Sequence, residues 1–374
     1  MRTSETMDAV TGAVTIANRG RKALRRSITI ISLLVAIAVL FTAMPAAARS
    51  KIALGVSTPE GSYKTVVEDH LARYGRYPAM FSLWSSWGAR GQARAAGKRD
   101  CVDGPGNGSC YFPRDAVDYL MERNITPIIW WQFTNPNLQS ERLYSRYKLI
   151  VQGRHDKYIR QWARELKAAS ARHNNRRIGV RFAHEAAGPW FPWSIRKFDN
   201  SAANYKGAWR HLHKQFATVG ARKNALFIWS QYFPRKGTYP GDRYIDYIGF
   251  TVLNFGRHQK RINGKWVWKN KWRTAASQVN PAVKAVKSFS KRPILLMEVA
   301  SSHLGGNKSR WLRQGYLKAY RQHPRIRGIL YLDTSVPSNV RGQRHPDWRL
   351  VIGANVWQTY KRLGDMRMFQ GVLR

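Results

Sequence analysis

Residues 178–193 read Ile-Gly-Val-Arg-Phe-Ala-His-Glu-Ala-Ala-Gly-Pro-Trp-Phe-Pro-Trp. The first six are mostly apolar and include β-branched residues, which suits a short strand buried on both faces over Ile178–Ala183. The run stops at His184-Glu185. A small-residue turn and three large aromatics come next. A carboxylate at the end of a buried strand is held by a rigid scaffold, and the indoles beside it present flat apolar faces with a polar edge.

The same kind of run recurs along the chain. Strands are expected at Ile52–Val56, Met80–Leu83, Pro127–Trp131, Ala225–Trp229, Ile245–Phe250, Pro293–Met297 and Gly328–Leu332. With Ile178–Ala183 that makes eight. Helical stripes lie between most of them: Ala116, Val117, Leu120 and Met121; Tyr158, Ile159, Trp162, Leu166 and Ala169; Trp209, Leu212, Phe216 and Val219; Ala282, Val283, Val286 and Phe289. Leu312, Tyr316 and Tyr320 precede the last strand, and Val351, Val356, Tyr360 and Leu363 come after it. Alternating strand and helix in eight units reads as an α/β (β/α)8 TIM barrel. An open doubly wound sheet would usually show a Gly-rich phosphate turn after an early strand, and none is present.

Chemistry in such a barrel sits where strands end and βα loops begin. Glu185 comes directly after the fourth strand. Glu298 comes after the seventh, at the end of Pro293-Ile294-Leu295-Leu296-Met297. Two such carboxylates among aromatics suit retaining glycoside hydrolysis, where an acid/base and a nucleophile sit about 5 Å apart. Arg181, on the fourth strand, is placed to set a positive charge beside Glu298. His184, Trp131, Trp190, Trp193 and Trp229 are candidate sugar contacts, being polar or flat groups near strand ends. Asp333, after the eighth strand, is a candidate hydroxyl contact. Strand alternation alone leaves the direction of Arg181 open, since it pairs Arg181 with Ala183 and Phe182 with His184.

Arg181, His184-Glu185, Gly188 and Trp190-Phe191-Pro192-Trp193, in this order, resemble glycoside hydrolase family 26, the β-mannanase and β-glucanase family. Tyr244–Gly249 resembles the sixth strand of that family and Lys291–Glu298 its seventh. The resemblance covers residues 52–363, and its specific part is the fourth-strand motif. It implies Glu185 as acid/base and Glu298 as nucleophile. The family commonly places a Tyr after strand six, where it hydrogen-bonds the nucleophile; this chain reads Thr251-Val252-Leu253-Asn254-Phe255 there, and Asn254 or another strand-end polar group is the expected substitute. Ala186-Ala187 stand where the family often has a larger apolar or polar pair, which implies a roomier or differently shaped subsite.

The chain has 374 residues, 15 of them Trp, and 64 Lys+Arg against 21 Asp+Glu, a formal net charge of +43. Residues 1–49 hold seven basic and two acidic residues, so most of the excess belongs to residues 50–374. A field of that sign draws polyanions, including acidic polysaccharide, anionic lipid and nucleic acid. The basic residues are scattered rather than gathered in a nucleic-acid motif, so no specific nucleic-acid partner is expected. The expected partner is a polysaccharide, neutral or acidic, bound by a monomer. His211 and His213 stand at i, i+2 and cannot face one site on a helix. No metal and no cofactor is expected.

Arg19, Arg21, Lys22, Arg25 and Arg26 precede an apolar run from Ile28 to Met44, and Ala46-Ala47-Ala48 supply small residues. Residues 1–48 therefore read as a signal peptide, or as a membrane anchor if uncleaved, ahead of a barrel domain over 49–374. The expected location is secreted or in the cell envelope, with membrane contact limited to that segment or to anionic lipid. The function expected from the residues is an exported β-glycosidase; the other reading is a non-catalytic glycan-binding or polysaccharide-biosynthesis protein on the same barrel.

Cys101 and Cys110 are the chain's two cysteines. An oxidising compartment and the glycine-rich stretch between them favour a disulfide. A pair of metal ligands would need further His or Cys partners, which are not close in sequence. Thiol titration of the native exported protein should find no free thiol, and reduction should cost about 2–3 kcal/mol of stability by reopening a short loop. Two reactive thiols before reduction would exclude the bridge.

Overall fold

The computed structural model describes residues 49–87, 112–134, 146–335, 343–344 and 347–373. Eight strands among them close a parallel barrel: β1 (Ala53–Ser57), β2 (Met80–Ser86), β3 (Thr126–Gln132), β4 (Ile178–Phe182), β5 (Ala225–Gln231), β6 (Tyr247–Asn254), β9 (Ile294–Ser301) and β10 (Ile326–Leu332). Their order around the barrel is their order along the chain, and β1 closes on β10 from Ala53↔Gly328 to Ser57↔Leu332. Two further strands interrupt the sequence of barrel strands: β7 (Gly256–Ile262) and β8 (Lys265–Lys271) form an antiparallel hairpin, edged by the short β11 (Gln343–Arg344). The seventh barrel strand is therefore β9. Cys101, Cys110 and residues 1–48 lie outside the described residues, and no described helix is long and apolar enough to cross a membrane.

The helices are α1 (Tyr63–Tyr74), α2 (Arg114–Glu122), α3 (Tyr147–Val151), α4 (Asp156–Arg172), α5 (Ala202–Thr218), α6 (Ala275–Lys287), α7 (Lys308–Gln322) and α8 (Val356–Asp365). Each longer helix buries one stripe at helical spacing; α4, for example, buries Tyr158, Ile159, Trp162, Ala163, Leu166 and Ala169. Side-chain caps start three of them. Ser201 accepts from Asn204 N, Thr274 from Ser277 N and Asn307 from Arg310 N. Val351 departs from its expected stripe: it lies exposed in the loop before α8.

Period-two alternation divides the barrel strands into two cores. Met80, Ile128, Trp130, Leu226, Ile228, Leu295, Met297 and Leu330 point inward and pack on one another. Their neighbours Phe81, Ile129, Trp131, Phe227, Trp229 and Leu296 point outward into a separate, larger core under the helices.

The inward face also carries glycines opposite large residues. At Gly249 of β6 an added Cβ would stand 2.5 Å from Met297 Cγ and 2.9 Å from Ser230 Cβ. Gly249→Ala should therefore overpack the interior and cost about 1–3 kcal/mol. Circular-dichroism melting should show a lowered Tm; an unchanged Tm would mean that β6 can shift outward freely.

Candidate active site

The fourth-strand motif leaves regular strand geometry just where its polar residues begin. β4 ends at Phe182. Ala183 (φ 41°) and Glu185 (φ 52°) then adopt left-handed backbone, which is uncommon for non-glycine residues. Three contacts hold this turn: Ala183 N donates to Trp131 O, Glu185 N to Ser230 O, and Tyr205 Oη to Ala183 O. The turn cancels alternation. Arg181, His184 and Glu185 all gather toward the barrel mouth, while Phe182 packs outward against Trp131 and Trp209.

A second irregularity serves Glu298. Along β9, Leu296 pairs with Phe250 but the next pair is Thr251↔Glu298, so Met297 is an extra residue relative to β6. Met297 keeps its place in the inner core, and the bulge lets Glu298 face inward as well. Arg181 meets it there. The fully buried guanidinium donates from Nη2 to Glu298 Oε1 at 2.7 Å and to Ser230 Oγ at 2.9 Å. Its Cζ stands 4.0 Å from the centre of the Trp130 ring, a cation–π contact that fixes the plane of the fork.

Glu185 is buried and its two oxygens are occupied differently. Thr251 Oγ1 donates to Oε1, and Trp190 Nε1 donates to Oε2 at 2.9 Å. Burial pushes its carboxyl up to about 8, and the charge of Glu298 pushes in the same direction. The hydrogen bonds from Thr251 and Trp190 and the Arg181 charge oppose this without cancelling it. Trp190 itself is 45% exposed, so its ring lies at the mouth with its N–H edge on the acid. Gly188 makes that position possible, since a Cβ there would come 2.3 Å from Trp190 Cζ2. Tyr232, just beyond β5, meets the Trp190 ring edge-on at 5.5 Å. Burial raises its hydroxyl first, and the charges of Glu185 and Glu298 push the same way.

His184 sits in an aromatic cage of Trp130, Phe191 and Trp193. Burial, and then the Arg181 charge, hold it well below the usual histidine range, so it is neutral. Among the described residues His184 Nδ1 and Arg181 Nε and Nη1 have no hydrogen-bond partner.

Four expected site residues are corrected by their burial. Trp131 lies outside the barrel, stacked on Trp162 at 4.0 Å, and Trp229 packs against Tyr239 and Phe289. Both occupy outward positions, so they support the helix layer. Trp193 is buried, stacked on Phe191 at 4.4 Å, with its N–H on His184 O. It braces the motif rather than presenting a platform. Asn254 is also fully buried. Its Nδ2 donates to Ser301 Oγ, and its Oδ1 accepts from Gly256 N and Arg273 N. It ties a loop and reaches neither carboxylate. Asp333 accepts from Leu350 N and anchors the segment before α8.

Ser230, Thr251 and Tyr232 join the site without standing out in the sequence. Ser230 continues the inward series Leu226-Ile228 and Thr251 the series Tyr247-Gly249, so alternation carries the signal for both. The last polar residue on each inward face is the one to pick.

The family model described as glycosyl hydrolase family 26 matches residues 110–282. Endoglucanase H of Acetivibrio thermocellus is 28% identical over 218 residues, 55% of this chain. Over these segments the chain is similar to glycosyl hydrolase family 26. The match spans 23% of the length of endoglucanase H, a much longer protein. Among solved structures, the catalytic domain of the family 26 endo-β-1,4-mannanase from Bacillus sp. JAMB-750 has a TM-score of 0.55 at 17% identity, covering 86% of this chain and 88% of that one. The YdhT protein from Bacillus subtilis gives 0.53 at 14% identity, covering 84% and 85%. At these identities the two structures speak for the barrel fold alone.

The proximity of the two carboxylates has a measurable sign. Replacing Glu298 by Gln removes a like charge from beside Glu185, so the Glu185 carboxyl should titrate at lower pH than in the wild type. Carboxyl carbon NMR of the two proteins across a pH series would report this. No change, or a rise, would place Glu298 too far away to act on Glu185.

Proposed function

We propose that this glycoside hydrolase, similar to family 26, is exported and cleaves β-glycosidic bonds within a polysaccharide with retention of configuration. The polymer is a mannan, a mixed-linkage β-glucan or an acidic exopolysaccharide. The observation that carries the reading is the pairing of unlike carboxyl environments at one barrel mouth. Glu185 keeps its proton at neutral pH because it is buried beside a like charge. Glu298 is gripped by Arg181. Retaining hydrolysis needs one protonated and one ionised carboxyl on either side of the scissile bond.

In this reading Glu185 protonates the leaving glycosidic oxygen while Glu298 attacks the anomeric carbon. The bond to the leaving sugar breaks as the glycosyl ester forms. Glu185, now ionised, then takes a proton from water, whose oxygen attacks the anomeric carbon and frees Glu298. Arg181 and Ser230 hold Glu298 against rotation during both steps. The exposed ring of Trp190 offers a sugar a flat face directly above the acid, and its N–H fixes the acid's outer oxygen. His184, neutral and adjacent, supplies a hydrogen-bonding edge to the same sugar.

The acid sets the pH dependence. Its carboxyl is raised in the folded protein, so kcat/KM should fall as pH rises through that raised value and the proton is lost. Glu185→Gln and Glu298→Gln should each lower hydrolysis by about 10²-fold or more while leaving the fold unchanged, since positioned acid–base and covalent steps contribute at that level. Proton NMR of a cleaved oligosaccharide should show the β-anomer forming first. Full activity in both variants, or first formation of the α-anomer, would remove this mechanism. Binding without cleavage across neutral and acidic polymers would leave the non-catalytic reading standing.

A further inference from the structure

The hairpin β7–β8 is the feature that the catalytic reading leaves unused. Its turn is Asn263-Gly264, both with positive φ, the geometry of a tight two-residue hairpin. Its cross-strand register sets Arg257 opposite Asn270, Gln259 opposite Trp268, and Arg261 opposite Trp266. Residues directly opposite share a face. One face therefore carries two indoles, two guanidiniums and two amides. Every residue of β8 is exposed, with Trp266 at 39% and Trp268 at 49%. Arg257 Cζ stands 4.8 Å from the centre of the Trp268 ring.

Both indoles keep a large share of their surface open to water. Exposed aromatic patches of this kind mark binding surfaces. The charge around them has one sign. No Asp or Glu occurs between Asp246 and Glu298, while Lys260, Lys265, Lys269 and Lys271 add to the two arginines. The hairpin is also fixed to the catalytic end of the barrel. Asn254, at the end of β6, binds the backbone of both hairpin feet through Gly256 N and Arg273 N, and it reaches β9 through Ser301. Arg257 N donates to Leu304 O in the loop after β9. β6 and β9 are the strands that carry Thr251 and Glu298.

We propose that this face of the hairpin binds a carboxylate-bearing polysaccharide chain, as an outer extension of the substrate site. The proposal rests on the glycosidase reading for the word substrate, but not for the binding. Trp266 and Trp268 are two residues apart on a strand, roughly 6.7 Å, which sets two stacking faces in series along a polymer. Arg257 and Arg261 flank them, and a guanidinium fork matches a carboxylate with two parallel hydrogen bonds. Neutral glycan would use the indoles and leave the cations idle. An acidic glycan uses both.

The test uses the full chain in affinity gels containing polygalacturonate or neutral glucomannan, each across a salt series. The wild type should be retarded on polygalacturonate, steeply less as salt passes about 0.15 M, where the Debye length is about 8 Å. Trp266→Ala/Trp268→Ala and Arg257→Gln/Arg261→Gln should each lose that retardation by about tenfold or more. Both variants should cleave a short aryl β-glycoside at the wild-type rate, which also shows that they are folded. Unchanged retardation of both variants on polygalacturonate overturns the proposal. So does a loss confined to duplex DNA or to anionic vesicles run in parallel. Failure of the wild type to cleave any β-glycoside, with hairpin-dependent retardation intact, would instead strike the hydrolytic reading and leave the acidic-glycan surface standing.

Discussion

The contact between Arg181 and Glu298 organises the mouth of this barrel. A guanidinium with no exposure is costly to bury unless it is paired. Here it is paired on one side with Glu298 and Ser230 and lies on the face of Trp130. Its three partners come from β9, β5 and β3, and Arg181 itself from β4. One cation thus fixes the relative positions of half of the barrel's strands at the end where loops would otherwise let them drift. The same charge opposes the rise in Glu185, while Glu298 and burial drive it. Burial first, and then the Glu298 charge, raise the Glu185 carboxyl, while Arg181 directs its hydrogen bonds to Glu298 and Ser230.

Bringing these groups together requires the strands to break their own rule. A regular β4 would point Arg181 and His184 to opposite faces, and a regular β9 would do the same to Met297 and Glu298. The chain solves the first with two left-handed residues and the second with a bulge. Ala183 and Glu185 gain nothing from that conformation by themselves. Tyr205, Trp131 and Ser230 hold the turn through backbone hydrogen bonds, so the surrounding core sustains the strain. At the barrel mouth the irregular backbone after β4 and along β9 carries the two carboxylates, and the neighbouring strands hold it in place.

This explains what the amino-acid sequence disclosed and what it withheld. The eight strands were legible because a parallel strand buried on both faces leaves a short continuous apolar run. That feature also hid the direction of each side chain, since a run apolar on both faces carries no contrast. Nearness to a strand end made Trp131 and Trp229 look like site residues, yet each comes after an inward residue, Trp130 or Ile228, and must point to the helices. Ser230 and Thr251 could be reached by counting in twos from the same residues. The inward turn of Glu298 could not. It depends on a register slip between two strands separated by a whole hairpin, and no local pattern around Met297 encodes it. Asn254 misled for a related reason: its place after strand six suggested a carboxylate partner, but the hairpin inserted there needed its feet tied.

That insertion changes how the parts of the molecule divide their work. At the barrel mouth Arg181 bonds Glu298 and Ser230, and Thr251 bonds Glu185, so a change in one of these residues disturbs the others. The hairpin has the opposite character. Its strands pair with each other and with the short β11, its exposed face adds little to the core, and its side chains can change without disturbing the interior. A scaffold with this separation can alter which polymer it holds while keeping how it would cut. The link between the two is Asn254, whose amide binds the hairpin feet on one side and β9 on the other. Three residues along β9 from that link stands Glu298, so whatever the hairpin holds is held relative to the strand that carries this carboxylate.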